Sequence, residues 1–343
     1  MNFENNIIPN KKIAIWLFAC AFFVFLMVVV GGLTRLTHSG LSIVSWKPIH
    51  GIIPPMNALE WQEELKQYTA TPEYIKNNYG MGVEEFKDIY WWEYAHRLLG
   101  RGIGVVFFVP FLIFNLKGYF SFKEAAQLLG IFALGGLQGF VGWWMVRSGL
   151  IDNPAVSHYR LAAHLLIALM IFALLLWKGL KYYLPELKIK APENQRAKFV
   201  ADLLIVAVLV QITFGAFLAG LHGGLTYNTW PLMDGKIIPA GMRFYLNNIE
   251  FIQFFHRWWA FVVMAVVVCF TLMVKKGKIK YDNEKTNLRL KKGLRMLHMV
   301  VGTQIILGVI TLINVVPVPL ASLHQVMAVI ILGNAVYLRR VIN

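Results

Sequence analysis

Four histidines are spaced in a way that chemistry could use. His96 and His164 are 68 residues apart, and so are His256 and His324. All four fall in long apolar stretches, where an ionisable side chain costs free energy and marks a functional candidate. Two imidazoles projecting into one helix bundle can hold a haem iron or another metal. Zinc usually takes three or four protein ligands, whereas each pair supplies two, so bis-histidine ligation of haem fits better. The two cysteines, Cys20 and Cys269, lie in apolar runs and cannot form an iron–sulfur cluster, a CxxC site or a disulfide framework. A lone intramembrane histidine is more often an interhelical hydrogen-bonding residue. It is the repeated spacing that argues for ligation.

The residues around the histidines repeat with one telling change. His96 sits in Glu93-Tyr94-Ala95-His96-Arg97, and His256 in Gln253-Phe254-Phe255-His256-Arg257. Three residues apart on a helix puts Glu93 and His96 on one face. A carboxylate there can move protons or stabilise a developing positive charge, whereas glutamine keeps the shape without the charge. The first half therefore looks equipped for chemistry and the second for binding or electron transfer. A helix-entry role near the positive dipole end explains Glu93 equally well in isolation. Arg97 and Arg257 could pair with haem propionates through their forked N–H groups, or could snorkel to the interface. His38 and His222 recur near the outer ends of two apolar runs, as site-lining or, preferably, helix-capping residues. Gln138 and Gln304 recur too, with a role between helices or near a cofactor left open.

These residues need elements to position them. The 343 residues are 57% hydrophobic and 15% charged, with a mean hydropathy of +0.57. A soluble domain carries about 25% charged residues. Eight runs are long enough to cross a bilayer: roughly 13–33, 90–116, 125–146, 159–182, 199–221, 251–274, 294–316 and 319–338. The fold class is an all-α integral membrane protein, eight spans arranged as two tandem-repeated four-helix bundles. With the N-terminus inside, the inner segments carry a net charge of +14 and the outer segments +1, out of +15 in all. The Lys/Arg bias then places both termini in the cytoplasm. It also accounts for the basic charge without nucleic acid. The first run is too long for a cleaved signal and has no Arg- and Ser-rich leader before it. That favours a bacterial inner membrane.

The chain reads as a duplication. His38-Ser39-Gly40-Leu41, Trp46, Gly51 and Pro55 recur as His222-Gly223-Gly224-Leu225, Trp230, Gly235 and Pro239, all offset by 184. His96-Arg97 and His164 recur at an offset of 160, and Gln138 and Gly142 at 166. The expected division is residues 1–187 as an N-terminal bundle, 188–198 as a basic cytoplasmic linker, and 199–343 as a C-terminal bundle. The first outer loop, 34–89, is 24 residues longer than its counterpart. The stretch from Met56 to Ile89 within it predicts amphipathic helix over the outer face. Each second histidine returns to the level of the first, so all four paired histidines lie toward the outer side.

The sequence resembles the haem A synthase family over nearly its whole length. The match is carried by Gly31-Gly32-Leu33-Thr34-Arg35-Leu36-Thr37, by Gly40-Leu41-Ser42 with Trp46 and Pro48, by Glu85-Phe86-Lys87 through Trp91-Trp92-Glu93-Tyr94-Ala95-His96-Arg97, and by the paired histidines. The resemblance implies oxidation of the C8 methyl of haem O to the formyl of haem A, by successive hydroxylations and loss of water from a diol. It implies substrate haem near His96 and His164, with Glu93 needed for activity. It implies a haem b cofactor, whose iron has His256 and His324 as axial ligands. Some members carry a cysteine pair in the first outer loop; this loop has none, as in the group resembling alphaproteobacterial and mitochondrial members. A thiol-dependent electron route is therefore unavailable to this chain. The implied partners are haem O, the lipid bilayer and, as candidates, a haem O synthase and further copies of the chain. The electron donor is open. The alternative reading is a non-catalytic di-haem cytochrome b-type membrane electron carrier.

Overall fold

The computed structural model describes residues 10–46, 50–184, 194–281 and 283–342. Ten α-helices make up its regular structure among these residues. Eight are long and apolar enough to cross a membrane: α1 (Lys11–Leu36), α4 (Val83–Leu116), α5 (Phe122–Gly149), α6 (His158–Tyr183), α7 (Asn194–Gly220), α8 (Ile249–Lys275), α9 (Glu284–Ile313) and α10 (Val318–Val341). Two short helices, α2 (Ala58–Thr69) and α3 (Pro72–Asn77), lie between α1 and α4. The chain is an all-α integral membrane protein. Most of the expected 188–198 linker, together with Pro48 and the His50 side chain, lies outside the described residues.

Local chemistry sets the helix ends. Ser121 caps α5 in a reciprocal box with Glu124, and Asn248 accepts from Phe251 N at the start of α8. Thr71 starts α3 the same way, with Pro72 at the first helical position. At the other ends, His38 and His222 both adopt left-handed backbone, each with φ 54°. Their N–H groups return to Arg35 O and Ala219 O, both at 3.1 Å. They close the last turns of α1 and α7 in the way a C-terminal cap does, and so serve the capping role that the repeat suggested.

Phe23–Ala168 form one compact unit. It contains an aromatic layer that the apolar spans alone would not reveal. Trp61 and Tyr68 of α2 pack with Phe86 and Tyr90 of α4 and with Ile43 of the preceding loop, all buried. The Trp61 and Tyr90 rings meet edge to face at 4.9 Å, and Tyr68 and Phe86 lie 5.2 Å apart. The first outer loop is thus helical, as its pattern predicts, but in three pieces. The third is α4 itself, which starts at Val83, two turns ahead of its apolar run. Glu85 fixes that start by accepting from Gly82 N at 3.0 Å.

The described residues of Met1–Phe22 and Leu169–Asn343 form the other unit. The α9–α10 hairpin is close-packed: a Cβ at Gly293 would come within 2.7 Å of Leu338. Where α7 begins and α10 ends, Asp202 accepts from Arg339 at 2.6 Å, and Arg339 and Arg340 both lie over the Trp177 ring.

Candidate functional site

All four paired histidines have the same seat. Each ring lies against a glycine of the span before it. A Cβ built on Gly31 of α1 would sit 2.8 Å from His96 Cε1; on Gly142 of α5, 2.7 Å from His164; on Gly215 of α7, 3.0 Å from His256; and on Gly308 of α9, 2.8 Å from His324. Real side-chain contacts are not that close. The glycines are needed because imidazoles occupy the space a methyl group would take. Gly31 and Gly215 share the offset of 184, and Gly142 and Gly308 that of 166.

The pairing in the second half is visible in the rings themselves. His256 and His324 face each other with centroids 6.4 Å apart and planes at 74°. A metal–imidazole bond is about 2 Å, so two in line separate ring centroids by about 6 Å. All four histidines are half-buried, and the Nδ1 atoms of His96, His164 and His324 are sealed and have no hydrogen-bond partner. Glutamines attend three of the four. Gln138 lies 3.3 Å from His164 Nε2, and Gln304 lies 3.3 Å from His324 Nε2. Gln211 touches His256. Among the described residues, no group of three or more His, Cys, Asp or Glu could hold a metal. The facing imidazoles of His256 and His324 suit a two-imidazole ligand set completed by a porphyrin, and the residues fit haem.

The arginine after each first histidine holds a loop. Arg97 donates to Ile43 O at 2.7 Å and Ser45 O at 3.0 Å. Arg257 donates to Tyr227 O and to Thr229 O, the latter at 2.8 Å. These acceptors are the same two positions, 184 residues apart. The neighbour three residues before each first histidine holds the same loop by different chemistry. Glu93 is buried, and its Oε2 accepts from Ser42 Oγ at 2.9 Å and Ile43 N at 2.8 Å. Its Oε1 accepts from Arg97 Nε at 3.1 Å and Nη2 at 2.7 Å. Gln253 instead donates to Thr226 O at 2.8 Å. The carboxylate of Glu93 is thus held by an arginine and two further donors.

Sequence spacing singled out the four histidines, Glu93, Gln253, the two arginines, Gln138 and Gln304, and the structure supplies their partners. It adds a clamp role for Glu93, Arg97 and Arg257 that spacing did not suggest. It gives Gln138 and Gln304 the histidines as neighbours. Gln211 was missed, because its counterpart at the same offset is Met27 and a search for repeats passes over a mismatch. The glycines were visible as repeated letters, but nothing in a sequence says that a ring lies against them.

The chain is similar to known proteins over nearly its whole length. Residues 14–336 match the family COX15-CtaA, described as cytochrome oxidase assembly protein. A heme A synthase of Wolbachia pipientis wMel is 44% identical over 95% of this chain and 91% of its own. One from Sinorhizobium fredii is 45% identical over 95% of this chain and 89% of its own. One from Nitrosospira multiformis is 44% identical over 96% and 92%.

Proposed function

The chain belongs to the COX15-CtaA family of cytochrome oxidase assembly proteins, and from that premise we propose that it oxidises the C8 methyl of haem O to the formyl group of haem A. It is an enzyme of haem A biosynthesis, carried in a multi-pass membrane protein. The observation that carries the finer reading is the pair of matching histidine seats of which one alone has a carboxylate beside it. His96 and His164 would bind the substrate haem, and His256 and His324 a resident haem b. Haem b, when bound, supplies one-electron redox chemistry.

The chain's own residues orient and enclose. The glycine seats fix the four imidazole planes. Glu93 and Arg97 tie the loop at Ser42–Ser45 to α4 next to His96, so the wall of the substrate half is fixed before substrate arrives. The negative charge of Glu93 has no equal in the other half and can offset positive charge that develops nearby. Propionate contacts by Arg97 and Arg257 would use the donors that the loop carbonyls leave. The halves would be 1–187 and 199–343 with the basic linker 188–198 between them. The termini would lie in the cytoplasm of a bacterial inner membrane, with the histidine pairs toward its outer side. A haem O synthase is the natural supplier of substrate.

Co-expression with a haem O synthase tests this. Extracted pigments should contain haem A or its hydroxylated precursor; only unmodified haem O, with oxygen and reductant present, would refute the enzyme reading. Glu93→Gln separates it from a di-haem electron carrier. Gln253 shows that glutamine can hold this loop, so the variant should fold and keep haem b while product falls. Undiminished product would remove Glu93 from the mechanism.

A further inference from the structure

Helix α8 carries a groove that the histidine pairs do not use. It measures about 550 Å3 and runs from Phe261 to the turn at Lys276 and Lys278. The smallest side chains lining it, Ala265 and Cys269, stand four residues apart and share one helix face. Met264, Val268 and Leu272 border them. Cys269 is exposed, so the groove opens outward along a membrane-spanning helix. Phe261 and Leu272 are eleven positions apart, about 17 Å of helix, close to the ~15 Å depth of one leaflet's hydrocarbon. The same face reaches Lys276, seven residues beyond Cys269. There the chain is held in place. Gly277 takes φ 69°, the Ile279 N–H returns to Met273 O at 3.2 Å, and the Ile279 side chain is buried. This glycine-closed helix end sets Lys276 and Lys278 on either side of Gly277, both exposed and both lining the groove.

We propose that this groove binds one anionic phospholipid from the leaflet on the side of the α8–α9 hairpin. An acyl chain lies over Ala265 and Cys269, and the phosphate sits between Lys276 and Lys278. The sister half shows that neither feature comes with the fold. The offset of 160 puts Val105 and Val109 where Ala265 and Cys269 stand. The end of α4 closes in the same way, with Gly118 at φ 73°, but Lys117-Gly118-Tyr119 replaces Lys276-Gly277-Lys278. Charge gathers at this hairpin too: residues 275–295 hold nine basic and two acidic side chains, whereas 117–124 hold Lys117, Lys123 and Glu124. A basic cluster at the end of an apolar groove is complementary to an anionic headgroup with its chain attached. A second copy of the chain on this face would instead bring two such basic hairpins together, against like-charge repulsion. The site needs no assignment of haem to either half.

The test titrates the purified full chain in detergent with phosphatidylglycerol and with phosphatidylcholine of the same acyl chains, and counts bound lipid by native mass spectrometry. One phosphatidylglycerol should bind at concentrations where phosphatidylcholine does not. A lysine near an anionic headgroup strengthens binding about fivefold, so Lys276→Gln with Lys278→Gln should weaken it about 25-fold. Lys291→Gln with Lys292→Gln removes the same charge from exposed positions of α9 outside the groove, and should leave binding unchanged. Cys269→Phe fills the groove from an exposed position and should weaken binding with both lysines in place. Equal binding of the two lipids to the wild type, equal loss in the two lysine pairs, or full binding by Cys269→Phe would each overturn the proposal. So would a dimer that Cys269→Phe dissociates, since a second copy would then be the occupant. Cys269→Phe decides alone if the Lys276→Gln, Lys278→Gln chain does not fold.

Discussion

At each of the four histidine seats one added methyl group would press on the ring, at under 3.0 Å for Gly31, Gly142 and Gly308 and at 3.0 Å for Gly215. Alanine is a better helix former than glycine by about 1 kcal/mol, so replacing an ordinary helical glycine should stabilise. At Gly215 and Gly308 the new Cβ would meet His256 and His324 at 3.0 and 2.8 Å, and either the ring or the helix must move. Gly215→Ala or Gly308→Ala should therefore lower bound haem b, read from the Soret band per protein. Gly302→Ala, whose Cβ meets open space in the same helix α9, should not. Gly31→Ala or Gly142→Ala should keep haem b and reduce product formation on the order of 100-fold, the usual effect of an ångström's misplacement. Haem content and turnover equal to those of Gly302→Ala would show that the seats have slack. This is also where legibility stopped at the residue scale. Gly31 and Gly142 stood out in the sequence as motif and repeat letters, but a glycine required by a neighbouring ring looks the same in sequence as one required by a turn.

Among the elements, the layer formed by α2, α3 and the first turns of α4 has its own pH response. Glu73 of α3 is buried, and burial raises its carboxyl above the usual range, against the opposing effects of its hydrogen bond with Asn77 and of nearby His38. Burial also pushes the Tyr68 hydroxyl up to about 12, so it stays neutral. An acid whose folded pKa is raised binds more protons folded than unfolded. The layer is then most stable below the unfolded value, near 4, and loses stability as pH rises toward the folded one. Amide exchange across residues 58–90 should quicken through that window, and Glu73→Gln, which keeps an acceptor for Asn77, should flatten the change. An unchanged pH profile in Glu73→Gln would place the response elsewhere. The sequence pattern anticipated helix here but not its breaks. Gly80 takes φ +87° in the turn before α4. The polar residues of 83–89 belong to a helix that hydropathy recognises only from Tyr90 onward.

Over the whole molecule, the spans were the most readable feature, because a bilayer crossing needs only a long apolar run and no particular contact. All eight expected runs coincide with helices. With the N-terminus inside, the inner segments would carry +14 and the outer +1, so on that orientation reporter fusions near residue 280 and at the C-terminus should be active in the cytoplasm. Fusions within 58–80 should be active on the other side, and the reverse pattern would turn the histidine pairs over. What the charges could not convey is which residue of one half does the work of which residue in the other. That follows from the shared acceptors of Arg97 and Arg257, found 184 positions apart. The consequence is practical. Glu93→Gln imports a side chain that the sister half already accommodates at the same place, as Gln253. The molecule is its own reference set: each half shows what the other's scaffold tolerates, so loss of function on such an exchange points to the chemistry lost rather than to damage done.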